Sequence, residues 1–106
     1  MSYCIVLTTT AKKIDALKIA RALVVRKLCA CVNIAANITS VYEWKDELCE
    51  EEEFLLIIKS VDKNFDNIKK TIIELHPYEL CEVIQIPVTK GYDKYLEWIS
   101  NSSKQA

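Results

Sequence analysis

"CACVNIAANITSVYEWKDELCEEEEFLLIIKS", Cys29 to Ser60, is the stretch whose reading decides the fold. Its first half, Cys29–Trp44, is rich in β-branched and aromatic residues and reads as one long strand, with an irregularity near Ala35–Asn37. "KDELCEE", Lys45–Glu51, reads as a charged turn, and "EFLLIIKS", Glu53–Ser60, as a second apolar strand. The pair forms a long hairpin in the middle of the chain, so the fold class depends on what flanks it.

On the amino side, "YCIVLTT", Tyr3–Thr9, is a short β-rich run, apolar on both faces and therefore central in a sheet. Between it and the hairpin the spacing predicts a helix over Lys12–Leu28. Ile14, Leu17, Ala20, Val24 and Leu28 would lie on one face, with Lys13, Lys18, Arg21 and Lys27 mostly opposite and Thr10 as N-cap. On the carboxyl side, Asp62–His76 reads as a second helix whose inner face is Phe65, Ile68, Ile72 and Leu75. Pro77 stops it, because the residue before a proline is pushed out of helical geometry. Glu82–Val88 follows as a fourth strand with Ile84, Ile86 and Val88 on one face. Pro87 has no N–H for a ladder bond, which puts this strand at an edge or a strand end there. Gly91 makes a turn, Tyr92–Ser100 a short last helix, and "NSSKQA" a frayed tail. The order β-α-β-β-α-β plus a terminal helix is the α+β, ferredoxin-like split βαβ arrangement, as one domain over residues 1–106.

Composition removes several functional classes. A net charge of −1 lacks the basic excess of a nucleic-acid binder. No apolar run reaches bilayer length, and "MSYCIVLTTTAKK" has neither a basic leader nor a cleavage site, so no membrane partner and a cytoplasmic location are expected. The single glycine cannot build a Walker loop or a dinucleotide-binding turn. No G-x-S-x-G elbow is present, and with one histidine a Ser-His-Asp triad has no activated serine to serve. An acylphosphatase-type anion loop needs an arginine after the first strand, where "TTTAKKID" has none, and no RNP-type aromatic motif marks the sheet for RNA. The five cysteines, Cys4, Cys29, Cys31, Cys49 and Cys81, are odd in number and lack C-x-x-C spacing, which suits reduced thiols rather than disulfides or a zinc finger.

Five blocks in order carry a resemblance: "IVLTT" (Ile5–Thr9), "ARALVVRKLCACVNI" (Ala20–Ile34), "TSVYEWKDELCEEEEFLLIIKS" (Thr39–Ser60), "HPYELCEVIQIPV" (His76–Val88) and "YLEWI" (Tyr95–Ile99). Along nearly its whole length the chain resembles the CutA divalent-cation tolerance family. The resemblance implies a compact homotrimer, PII-like in architecture, whose long hairpin reaches onto neighbouring subunits. It also implies binding of copper or another divalent cation, no organic cofactor and no enzymatic reaction. Closed symmetry would bury the apolar surface and strand edges that a lone four-stranded sheet leaves open. The chain departs from the family pattern at Ala11, where proline is common, at Asp46 for glycine and at Cys81 for proline. Some bacterial members carry a ligand cysteine in the first strand and a His-His pair before the proline; here those positions are Thr8, Leu75 and His76.

Two candidate sites follow. A metal set would use His76 with Glu79 and, from the family's common cysteine, Cys31, since imidazole and thiolate suit copper and a carboxylate completes the shell. The competing reading makes His76 a helix stop, with Tyr78 packed and Glu79 and Glu82 solvated. Cys29 and Cys31, two apart, would share a face on a strand but diverge if Cys29 still belongs to the helix end. The second set, Tyr42, Trp44, Lys59, Tyr78, Glu82 and Trp98, would line a cleft for a small anionic ligand in a PII-like sensor or adaptor, or else simply pack an interface. The acidic run Glu50–Glu53, with Asp46 and Glu47, could collect hard cations weakly but lacks EF-hand spacing, and it reads as a solvated hairpin tip.

Overall fold

The computed structural model describes residues 2–104. Strands β1 (Tyr3–Thr10), β2 (Cys31–Trp44), β3 (Glu47–Val61) and β4 (Ile84–Val88) form one antiparallel sheet in the order β2-β3-β1-β4. Helices α1 (Lys13–Val25) and α2 (Phe65–Leu75) are the two crossovers, and α3 (Asp93–Ser102) closes the chain. The expected order and the edge position of β4, with Pro87 in it, are both present. Among the described residues no helix is long and apolar enough to cross a membrane.

One face of the sheet is covered. Cys4, Val6, Leu56 and Ile58 meet Ala16, Ile19 and Leu23 of α1 and Ile68 and Ile72 of α2 in a single core. The buried stripe of α1 is Ala16-Ile19-Ala20-Leu23, which shares Ala20 with the expected face; Leu28, beyond the helix, is also buried, but Ile14 is 72% exposed and Val24 faces solvent. The helix offers more than one apolar stripe between its charged residues Lys13, Asp15, Lys18 and Arg21, so its phase is set by the sheet rather than by its own pattern. It stops earlier than expected. Lys27 takes a left-handed φ of 57°, the Leu28 amide donates to the Leu23 carbonyl and the Lys27 amide to Val24, a Schellman ending. Lys12, not Thr10, is the N-cap; Thr10 is the last residue of β1 and donates its hydroxyl to the Lys12 carbonyl. The tail is ordered further than expected. Ser103 is buried, and its carbonyl accepts from the Asn64 amide at 2.7 Å.

The other face is open. By register, Tyr3, Ile5 and Leu7 of β1 stand beside Val88, Ile86 and Ile84 of β4, and Leu7 and Ile5 stand beside Ile57 and Lys59 of β3. Ile84 and Ile86 remain 51% and 44% exposed.

The hairpin is longer than its sequence suggested. The charged turn contracts to Lys45-Asp46, both at positive φ (51° and 67°), as a two-residue primed turn requires. Glu50–Glu53 is therefore strand, not tip, paired with Val41, Ser40, Thr39 and Ile38. The anticipated irregularity lies between Ala35 and Ile38, where β2 advances three residues against two on β3 and Asn37 takes a φ of 62°. This bulge switches the parity of β2. Before it Cys31, Asn33 and Ala35 share the open face; after it Ser40, Tyr42 and Trp44 do.

Candidate functional site

The parity switch creates the site. Tyr42 and Trp44 of β2 now lie on the same face as Glu51 and Glu53 of the unbroken β3, and the segment after α2 folds across from them. Between lies a groove of about 770 Å³, walled by Tyr42 and Trp44 on one side and by Tyr78, Glu79, Leu80 and Glu82 on the other, with Thr9 at the end of β1. It is continuous with the open sheet face, since Thr9 and Leu55 stand opposite one another there.

His76 builds the far wall without lining it. Its backbone amide ends α2 on the Ile72 carbonyl, and the residue is 8% exposed. The ring Nε2 lies 2.7 Å from the Thr9 carbonyl oxygen, which only accepts; Nδ1 lies 3.1 Å from the Tyr78 amide, which only donates. The two contacts select the neutral tautomer with its proton on Nε2, and they use both ring nitrogens. Tyr78, its ring 4.6 Å from the His76 ring, is thereby aimed at β3, where its hydroxyl donates to Glu53 Oε2 at 2.7 Å. Burial, and then that bond to Glu53, push the Tyr78 hydroxyl well above the ordinary tyrosine range. Tyr42 donates to Glu51 Oε1, and this bond is the leading reason its own hydroxyl is pushed up to about 12.

The groove wall is acidic. Glu43, Glu51, Glu53, Glu79 and Glu82 line it, and among the described residues no lysine or arginine does. Desolvation, then the neighbouring Glu53, raise the Glu82 carboxyl above its ordinary value. A carboxyl whose folded value is raised binds its proton more tightly in the folded state, so stability falls as pH rises from the ordinary carboxylate range through the raised value. Glu82→Gln is therefore expected to raise the thermal midpoint slightly at neutral pH, and the gain should vanish below the ordinary carboxylate range. Solvent at this partly exposed site keeps the effect small. Thermal scans of both proteins across pH 3–8, at equal protein concentration, check this; a gain that persists in acid would mean the charge of Glu82 is not its cause.

The structure sorts the sequence candidates. Tyr42, Trp44, Tyr78 and Glu82 come together in the groove, with Glu79 beside them. Lys59 does not join them: it lies on the open face, where Nζ bonds Asn33 Oδ1. Trp98 stacks on Tyr95 of α3 at 5.5 Å, away from the groove lining. Cys31 stands level with Ile5 through Lys59, four residues along β1 from the Thr9 carbonyl that holds His76, about 13 Å away at strand rise. Within one chain His76, Glu79 and Cys31 thus do not converge, and among the described residues no three metal-ligating side chains do. Cys29 is buried in the core while Cys31 is on the open face, so the two diverge. Glu51 and Glu53 were missed as site residues. The alternation Glu51, Glu53, Leu55, Ile57, Lys59 was their signal, hidden because the run of charge resembled a loop.

Sheet order, crossover helices on one face and the long bulged hairpin define a ferredoxin-like α+β domain of the kind found in PII-like proteins. The model of the CutA1 divalent ion tolerance protein family matches residues 4–102. The chain is 37% identical over 99 residues to the divalent-cation tolerance protein CutA of Thermus thermophilus, covering 93% of this chain and 96% of that one. It is 47% identical over 83 residues to a CutA homolog of Xenopus laevis, covering 78% of this chain and 55% of that one. It spans about half the length of such vertebrate and plant relatives. Among solved structures, CutA1 from Oryza sativa superposes with a TM-score of 0.96 at 35% identity, covering 100% of this chain and 97% of that one. The PII-like protein CutA from Nostoc superposes with a TM-score of 0.88 at 33% identity, covering 100% of both. The chain belongs to the CutA1 divalent ion tolerance family. The names of these relatives attribute no enzymatic reaction.

Proposed function

We propose that this protein is a non-enzymatic homotrimer that takes part in the response to divalent cations, copper among them, in a reducing, cytoplasmic setting. The observation that carries the reading is the open apolar sheet face running into an acidic groove. The face supplies an assembly surface, and the groove supplies oxygen donors at the place where a neighbouring subunit would arrive. Five free thiols fit a reducing compartment. Any copper site is formed between subunits or by the carboxylates, because both ring nitrogens of His76 are already bonded within the chain. A PII-like sensor would use the same trimer and groove. Its small anion, however, would meet five carboxylates and, among the described residues, no basic side chain.

Native mass spectrometry of the reduced protein, before and after one equivalent of Cu(II) per chain, tests the reading. A trimer that takes up copper stoichiometrically is expected. A monomer would overturn the assembly, and a trimer that takes up no copper would overturn the metal role while leaving the assembly intact.

A further inference from the structure

We propose that the outer side of α1 docks an acidic amphipathic helix of a partner protein. Ala16, Ile19, Ala20 and Leu23 already hold α1 against the sheet. A second apolar row, Ile14, Leu17, Val24 and Val25, runs along the outer side at i, i+3, i+10 and i+11. Ile14, Leu17 and Val24 belong to the face that apolar spacing marks as inner, yet the fold does not bury them. Ile14, Val24 and Val25 are 72%, 43% and 78% exposed, and Leu17 is half-buried.

Helix formation does not account for this row. β-Branched residues lose side-chain freedom in a helix, so alanine at an exposed position favours it more. Nor are these single apolar side chains scattered over a surface. They line one side of α1 from its first turn to its last, about 16 Å at helical rise.

Charge selects the partner. Lys13, Lys18 and Arg21 border the row, all exposed, and none has an ion-pair or hydrogen-bond partner among the described residues. Asp15, the acidic residue of α1, falls by helical spacing on the flank of Ala22 and Arg26. That flank faces α2, where Arg26 reaches Thr71 and Glu74. An apolar row with a cationic border fits a helix whose own apolar face is edged by Asp and Glu, so that the seams pack and the borders pair. The same border disfavours a second copy, because two such rows face to face set cation against cation. A nucleic-acid backbone offers nothing to the aliphatic side chains. Assembly through the opposite face of the sheet would leave the row outward on every subunit, so docking and assembly do not compete. A plane would then meet only part of the assembly's rows at once, which favours a protein segment over a membrane.

The test uses the reduced full chain and two fluorescently labelled peptides of about 18 residues, long enough to cover the row. Both carry leucine at heptad positions a and d; one has glutamate at e and g, the other lysine. Each is held at nanomolar concentration and titrated by fluorescence anisotropy. Saturable binding of the glutamate peptide is expected, with the lysine peptide at least about tenfold weaker. Lys18→Glu with Arg21→Glu should weaken the glutamate peptide about tenfold or more and strengthen the lysine peptide. Ile14→Ala with Val25→Ala should cost several-fold in affinity while the thermal midpoint holds or rises, as alanine favours the helix. A midpoint that falls while affinity stays the same would make the row structural and overturn the proposal. It is overturned equally if the glutamate peptide does not saturate, if the two peptides bind alike, or if charge reversal changes neither. Vesicles of equimolar phosphatidylserine and phosphatidylcholine are the other acidic surface to try. If they, and not the peptide, bind through Lys18 and Arg21, the row is a membrane contact and the proposal fails.

Discussion

Replacing His76 by alanine is expected to destabilise the fold by about 2–4 kcal/mol while leaving copper stoichiometry where it was. The ring bridges two backbone groups that have no other route to each other: the Thr9 carbonyl at the end of β1 and the Tyr78 amide beyond α2. Truncation strips the partner from both, and each buried group left unsatisfied costs about 1–3 kcal/mol. It also removes the ring that packs against Tyr78 and so loosens the phenol that reaches Glu53. Urea unfolding at fixed protomer concentration measures the first effect, since assembly makes apparent stability concentration-dependent. Native mass spectrometry with Cu(II) measures the second. A variant of unchanged stability that no longer takes up copper would make the imidazole a metal ligand and would overturn the structural role assigned to it.

That role shows where a sequence stops being informative. The β-branched runs, the proline after His76 and the period of α2 are local signals, and the element order follows from them. The partner of His76 lies 67 residues away, and no local pattern names Thr9. The phase of α1 was illegible for a different reason: in "KIDALKIARALVV" several stripes are apolar, and only the sheet chooses Ala16-Ile19-Ala20-Leu23. The groove was half legible. Tyr42, Trp44, Tyr78 and Glu82 were candidates by residue type, but their convergence depends on one extra residue between Ala35 and Ile38. Lys59 and Glu51 share one face of the unbroken β3, so alternation alone separates neither; eight residues of strand, about 26 Å at strand rise, keep Lys59 away from the groove. The charge of the site was misjudged for the same reason. With Lys59 inside, the cleft reads as an anion site; with Glu51 and Glu53 in its place, its wall is acidic.

The open sheet face leads to the second large effect: Ile57→Glu is expected to convert the proposed homotrimer to monomers at micromolar concentration without unfolding them. Ile57 stands at the middle of that face, beside Leu7 on β1 and Asn33 on β2, with Ile84 one strand further on. A carboxylate buried there between subunits would have no cationic partner close by except Lys59, which is already bonded to Asn33, and an unpaired buried charge costs several kcal/mol. Light scattering on the eluted peak reports the assembly and circular dichroism the fold. Ile14→Glu, on the exposed side of α1 across the sheet, serves as the control and should stay trimeric. If Ile57→Glu remains a trimer, the open face is not the interface. If it unfolds as it dissociates, one chain is not stable alone. The packing argues against the latter: the core of Val6, Leu56, Ile58, Ile19, Leu23, Ile68 and Ile72 is complete on the helix side within a single chain, whereas the opposite face has no covering layer of its own. Folding and the proposed assembly would therefore draw on opposite faces of the same strands, and a substitution confined to odd-numbered positions of β3 between Leu55 and Lys59 should separate them.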